Sequence, residues 1–175
     1  MDSHGDTSTT VEGRLASAFG LAGDEWLRHA NPKSVYSRFT VLPLFVVAVW
    51  SRVWLGWWAL LPVAATVAWT YLNPRLFDEP ASFDSWAAKG VLGERIWADR
   101  ESFGLDRTRR RQLHAITAVQ VVGVPPFLWG LYTLAPWVTA TGLVTMVLAK
   151  VWFLDRMAHL FDDYRDTDAV RAWLA

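Results

Sequence analysis

Apolar and polar residues in this chain separate into blocks instead of alternating along helical faces. Val53 to Leu72 runs for twenty residues without a charge, and its only side-chain hydroxyls are those of Thr66, Thr70 and Tyr71. At the α-helical rise such a segment covers about 30 Å, the thickness of a bilayer's hydrocarbon core. A soluble helix of that length needs a polar face, and this one has none. Three further apolar stretches follow the same logic. The pattern predicts an all-α fold with four transmembrane helices, at about 32–50, 53–72, 115–134 and 137–154, arranged as two hairpins. Ser51-Arg52 and Ala135-Pro136 are the tight turns. Asn31-Pro32 reads as a helix start, with Asn as N-cap and Pro at the first helical position. Asn73-Pro74 ends the second helix. The charge-free part of the first helix, Phe39 to Ser51, is too short to span alone, so Arg38 is expected at or just inside the boundary, snorkelling. Pro43 is expected to kink this helix, and Pro125-Pro126 to bend the third. Merging Phe39 to Leu72 into one span would make it too long for a bilayer. A re-entrant first hairpin is the better alternative.

The polar blocks carry structure of their own. Residues 1–30 form a flexible N-terminus with an amphipathic segment over Val11 to Ala30, whose apolar positions include Leu15, Phe19, Trp26 and Leu27. The connection over 73–113 holds a short amphipathic, interfacial helix from Ser85 to Ala98, interrupted at Gly90 or Gly93. The tail, 155–175, continues the fourth helix. Of the 17 Lys and Arg residues, all but Arg52 fall in the N-terminal region, the long connection, or the end of the fourth helix and tail. The positive-inside rule then places both termini and the connection in the cytoplasm of a multi-pass cell-membrane protein. The aromatic residues agree. Trp50, Trp54, Trp57, Trp58, Tyr132 and Trp137 fall at the outer ends of the spans, and Trp69, Tyr71 and Trp152 at the inner ends.

Composition adds limits. The chain is 53% hydrophobic yet 19% charged, which the block pattern explains, and its 12 tryptophans suit membrane interfaces. Zero net charge argues against a nucleic-acid partner. The absence of cysteine excludes disulfides, thiolate metal sites and a Cys nucleophile. The first residues lack the basic start and apolar run of a signal peptide, and no lipidation motif is present.

Few residues suggest chemistry. Asp155, His159 and Asp162 share one helix face, next to Arg156 and Asp163, and this set could bind a metal or relay protons. The blander reading is an exposed helix with local ion pairs. His29, His114 and His159 all map to the cytoplasmic boundary. They would form a metal site with Asp155 or Glu94 if they converged, or ligate haem, but no histidine lies within a span. No cofactor is expected. Arg38 and Asp155 are placed to form a helix–helix ion pair, with Lys150 nearby. Arg107, Arg109, Arg110 and Arg111 form a polybasic run suited to anionic headgroups, and equally to fixing topology. Nucleotide loops, Ser-His-Asp spacing and HExxH are absent.

At HANPKSVYSRF, AVWSRVWLGWWALLPV, LNPRLF, WAAKGVLGERIW and VWFLDRM, between Trp26 and Tyr164, the chain resembles an uncharacterised family of small membrane proteins of haloarchaea and bacteria, a domain of unknown function. The resemblance implies a prokaryotic membrane location and no particular activity. The sequence therefore favours a non-enzymatic integral membrane protein, structural or an accessory subunit, with anionic lipid and a second copy or a membrane complex as its expected partners. A small oligomeric transporter or channel is the first alternative. A membrane enzyme or metal-binding protein using His and Asp at the cytoplasmic face is the second.

Overall fold

Proline placement sets where the helices of this chain begin. A computed structural model describes residues 25–174. They form α1 (Glu25–His29), α2 (Pro32–Arg38), α3 (Val41–Trp50), α4 (Arg52–Leu55), α5 (Leu60–Leu72), α6 (Trp86–Ala98), α7 (Arg107–Val122), α8 (Val124–Thr133), α9 (Pro136–Tyr164) and α10 (Asp168–Leu174). Short 3₁₀ turns occupy Gly56–Ala59 and Asn73–Leu76, and no strand occurs among the described residues. Pro32, Pro43, Pro62, Pro125, Pro126 and Pro136 all sit in the first turn of a helix. There the missing N–H has no intrahelical partner to lose, and the fixed φ suits helix entry. The expected kinks are therefore breaks placed just upstream. The first run breaks at Phe39–Thr40 rather than at Pro43, and the third at Gly123 rather than at the Pro pair. Most of the N-terminal amphipathic segment lies outside the described residues.

Three helical runs are long and apolar enough to cross a membrane: Pro32–Leu76, Arg107–Thr133 and Pro136–Tyr164. The first has 45 residues and would reach about 68 Å if straight. It is not straight, because the Asn73 Oδ1 accepts a 2.9 Å hydrogen bond from the Ser34 hydroxyl and α3 lies beside α5. The reversal is built at Gly56, whose φ of 54° and ψ of −130° suit a residue without a Cβ. The stretch 53–72 is thus not one continuous α-helix. Its first seven residues make the turn, and only Leu60–Leu72 is regular.

Each end of this hairpin is fastened by one polar side chain. At the turn end, Arg52 Nη2 donates to the carbonyls of Leu131 (2.7 Å) and Tyr132 (2.6 Å). These carbonyls belong to the last turn of α8, where intrahelical donors run out. At the other end, Asn73 is fully buried; its Nδ2 donates to Ser37 Oγ at 2.7 Å while Ser34 donates to its oxygen. Arg52→Gln is expected to lower stability by about 2 kcal/mol, because charge-assisted bonds to otherwise unpaired carbonyls are the stronger kind. Thermal unfolding of the purified variant in detergent measures this; an unchanged midpoint would mean that the two hairpins do not depend on Arg52.

The second hairpin, α7–α8 against α9, closes through a seam of small residues. A methyl placed on Gly130 would overlap Thr139, and one on Gly142 would overlap the main chain of Phe127. Small residues at such crossings let backbones approach closely. Leu134 completes the turn in the left-handed region, at φ 57°.

Beyond the apolar runs lies a packed helical head. Its core combines Leu92, Ile96, Met157, Leu160, Phe161 and Val170, with Trp26, Phe103 and Trp173 against it. The helix expected to lie amphipathically at an interface, α6, is unbroken and buried on most sides. Gly90 and Gly93 do not interrupt it; they form its crossing point with Leu154 and Met157 of α9. The tail likewise folds back: α10 buries Val170 completely, and Trp173 stacks edge-on against Phe103 at 5.5 Å, with Arg95 above its ring.

Candidate functional site

A concave site with charged walls lies where the two hairpins meet the head. Val35, Arg38 and Phe39, Leu42 of α3, Val91 and Glu94 of α6, Gln120 of α7, and Met146, Val147, Lys150 and Leu154 of α9 line a cavity of about 200 Å³. Capping starts this geometry. Asn31 accepts from the Lys33 N–H at 2.9 Å and fixes the entry to α2, which carries Arg38. Ser85 accepts from the Ala88 N–H at 3.2 Å and starts α6, which carries Glu94. Crossing at Gly90 and Gly93 then sets two ion pairs astride α9: Lys89 with Asp162 at 2.8 Å on the head side, and Glu94 with Lys150 at 2.5 Å on the side of the apolar runs.

Arg38 reaches the cavity from the opposite wall. Its Nη2 donates to the His29 carbonyl at 3.0 Å and its Nε to the Ser34 carbonyl at 3.3 Å. Its Nη1 has no hydrogen-bond partner among the described residues, and the Glu94 carboxylate acts on it electrostatically. The lining thus holds two cations and one carboxylate.

The residues singled out in the sequence are distributed differently. The Asp155 carboxylate pairs with Arg156 at 2.7 Å and lies 3.8 Å from His159 Nδ1, which is 2.8 Å from the Asp155 carbonyl, while Arg38 bonds the carbonyls just described. The ion pair between a long apolar helix and its neighbour is Lys150–Glu94, where Arg38–Asp155 was expected. Asp162 pairs with Lys89 at 2.8 Å. His114 packs edge-on against Trp97 at 5.3 Å, and His29 lies near Arg28, Pro74 and Arg75. No group of three or more His, Asp or Glu side chains among the described residues is placed to hold a metal ion.

The polybasic run divides in two. Arg109 pairs with Asp163 at 2.7 Å, and Arg110 donates to the carbonyls of Leu105 (2.9 Å) and Arg100 (3.2 Å). Arg107 and Arg111 stay exposed. The acidic end of α9 therefore serves largely to dock the head. Arg165 adds a contact to Asp84 at 3.5 Å, and the Ser82 hydroxyl, with that guanidinium, holds the Asp84 carboxyl below the usual carboxylate range. Solvent screens such exposed pairs, so they fix geometry more than they add stability.

The structure gives Glu94, a candidate metal ligand by sequence, a different role as an ion-pair partner, and it adds Gln120 to the site. Glu94 pairs with Lys150, the isolated lysine of the fourth apolar stretch. Nothing local indicated that the two meet, 56 residues apart.

These features define an all-helical protein whose apolar runs suit it to a membrane. The chain belongs to a family of unknown function, DUF6653, whose model matches residues 10–175. No curated protein and no solved structure matches it.

Proposed function

We propose that the chain is a four-span integral protein of a prokaryotic cell membrane, with both termini and the helical head in the cytoplasm. In this reading it is a non-enzymatic accessory or structural component held on anionic lipid. One observation carries the reading: large exposed aromatic residues form rims at both ends of a surface otherwise apolar and uncharged. Trp54, Trp57, Tyr132 and Trp137, 76% to 88% exposed, ring the turn end, and Tyr36, Tyr71 and Trp152 ring the head end. Between them Leu60, Leu61, Val67, Val121 and Leu148 are exposed as well. Water would tolerate no such surface on a monomer, whereas lipid solvates it. The Lys and Arg bias to the head side supports the orientation. Arg107 and Arg111, exposed where α7 enters the apolar run, suit anionic headgroups.

The transporter alternative has less support. Thr66, Thr70, Thr117, Thr133, Thr139, Thr141 and Thr145 each donate to the carbonyl four residues earlier in their own helix. Hydroxyls satisfied in this way do not line a polar path. A second copy or a larger membrane complex would cover α5, which is exposed along most of its length.

Because the chain has no cysteine, single cysteines report topology cleanly. In intact cells a membrane-impermeant maleimide is expected to label Trp57→Cys and Tyr132→Cys, and to label Asp78→Cys and Asp166→Cys only after permeabilisation. Labelling of Asp166→Cys in intact cells would overturn the orientation. Protection of Trp57→Cys would turn the first hairpin into a re-entrant one.

A further inference from the structure

The cavity between the hairpins holds charged and polar side chains at one depth. Arg38 lies 12 residues before Trp50, Gln120 lies 13 before Thr133, and Lys150 lies 14 after Pro136. At the helical rise these are about 18, 20 and 21 Å from the turn end, or roughly two-thirds of the way across a hydrocarbon core. Glu94 reaches the same level from the head, through its ion pair with Lys150. Three elements that are separate in sequence thus bring charges together where charge is costly.

The charges do not cancel. Glu94 is the one carboxylate facing Arg38 and Lys150 in the lining, and its short contact is with Lys150. One positive charge remains, with the Nη1 of Arg38 lacking a hydrogen-bond partner among the described residues. A cation in excess over the carboxylates of a largely apolar lining is stabilised by an added anion, and a guanidinium suits a phosphate or carboxylate. The other walls, Phe39, Leu42, Met146, Val147 and Leu154, are apolar. The Lys150 and Glu94 side chains keep 39% and 24% exposure, so the cavity is open at its side. Its volume suits a headgroup better than a whole drug-sized ligand, leaving acyl chains to run along the apolar surface outside.

We propose that this cavity binds one anionic lipid of the inner leaflet, its phosphate or carboxylate on Arg38 and Gln120 and its chains against Leu42, Met146 and Val147. The site is separate from the surface arginines of α7 and rests on the membrane-spanning reading above. Specificity is for charge: a zwitterionic headgroup would bring its own cation towards Lys150 and Arg38.

The test uses the delipidated, purified protein and native mass spectrometry. Titration with phosphatidylglycerol is expected to show one tightly held copy, at least about tenfold tighter than phosphatidylcholine. Arg38→Gln should bring the two lipids to equal, weak binding. Glu94→Gln raises the lining's net charge and should tighten phosphatidylglycerol, a gain that a folding defect would not produce. Inorganic phosphate at millimolar concentration should not displace the lipid. The proposal is overturned if phosphatidylglycerol and phosphatidylcholine bind alike to the wild type, if Glu94→Gln weakens phosphatidylglycerol, or if phosphate alone displaces it, which would make this a site for a free anion. Maleimide labelling stands apart from this outcome, so loss of lipid selectivity with the expected topology would remove the site alone.

Discussion

Gly93→Ala is expected to unseat α6 from α9 and lower stability by about 3 kcal/mol or more, at the upper end of the cost of overpacking. A Cβ built on Gly93 overlaps the main-chain carbonyl of Met157. A side chain could rotate away from such a clash, but the backbone in the middle of a 29-residue helix cannot. Relief would require α6 to lift as a unit, exposing Leu92 and Ile96, which are completely buried. It would also draw Glu94 away from Lys150 and open the cavity. Gly90→Ala is the internal control. Its nearest neighbour is the flexible end of Leu154, at 3.3 Å. A small adjustment there is offset by the better helix propensity of Ala, about 1 kcal/mol. Thermal unfolding of both variants in detergent should therefore separate them widely. Equal midpoints would show that the helices do not cross at Gly93.

Asn73→Ala should cost about 3 kcal/mol for a different reason. The Asn73 amide, with no solvent exposure, bridges Ser34 and Ser37. Truncation leaves Ser34, itself fully buried, without its acceptor. A stranded buried polar group costs about 1–3 kcal/mol, and the lost volume adds to that. The cost should fall when both partners go. In the cycle with Ser34→Ala, the double variant should lose clearly less than the sum of the single variants, by at least about 0.5 kcal/mol. Strict additivity would mean that the hydrogen bond contributes nothing to holding the hairpin's ends together.

The two variants also mark what kind of information each part of the fold requires. Asn31 as a cap and Pro32 and Pro136 as first-turn residues act within a few residues of themselves, and the sequence shows them directly. Ser51-Arg52 was recognisable as a turn, but the reversal extends to Gly56, where a positive φ falls inside what reads as uninterrupted apolar helix. Hydropathy reports the solvent a segment prefers and says little about its backbone path. Pro43 and Pro125-Pro126 suggest kinks only if a helix continues through them. Their position in a first turn depends on breaks at Thr40 and Gly123 that hydropathy does not register.

The candidate site was less legible. Arg38 and Lys150 stand out in the sequence as charges beside apolar stretches, but Glu94 suggests only a charge on an interfacial helix, or a metal ligand if the histidines converged. It is distinguished by the two glycines that let α6 approach α9, and an approach is a property of two helices. Asp155, His159 and Asp162 share a face as their spacing requires, yet spacing does not reveal that Lys89 takes Asp162 or that the rest of the helix packs in a core.

By itself the sequence determined an all-helical, lipid-suited chain, its caps and most of its helix starts, because these follow from local sterics and from how each residue type partitions between water and hydrocarbon. The tertiary structure alone decided that the polar connection and the tail build one core, that Asn73 meets Ser34, and that Arg38, Glu94, Gln120 and Lys150 surround one cavity. Those outcomes depend on which distant surfaces fit closely enough to exclude their neighbours, and close packing between segments 39 to 56 residues apart leaves no periodic signature in either segment.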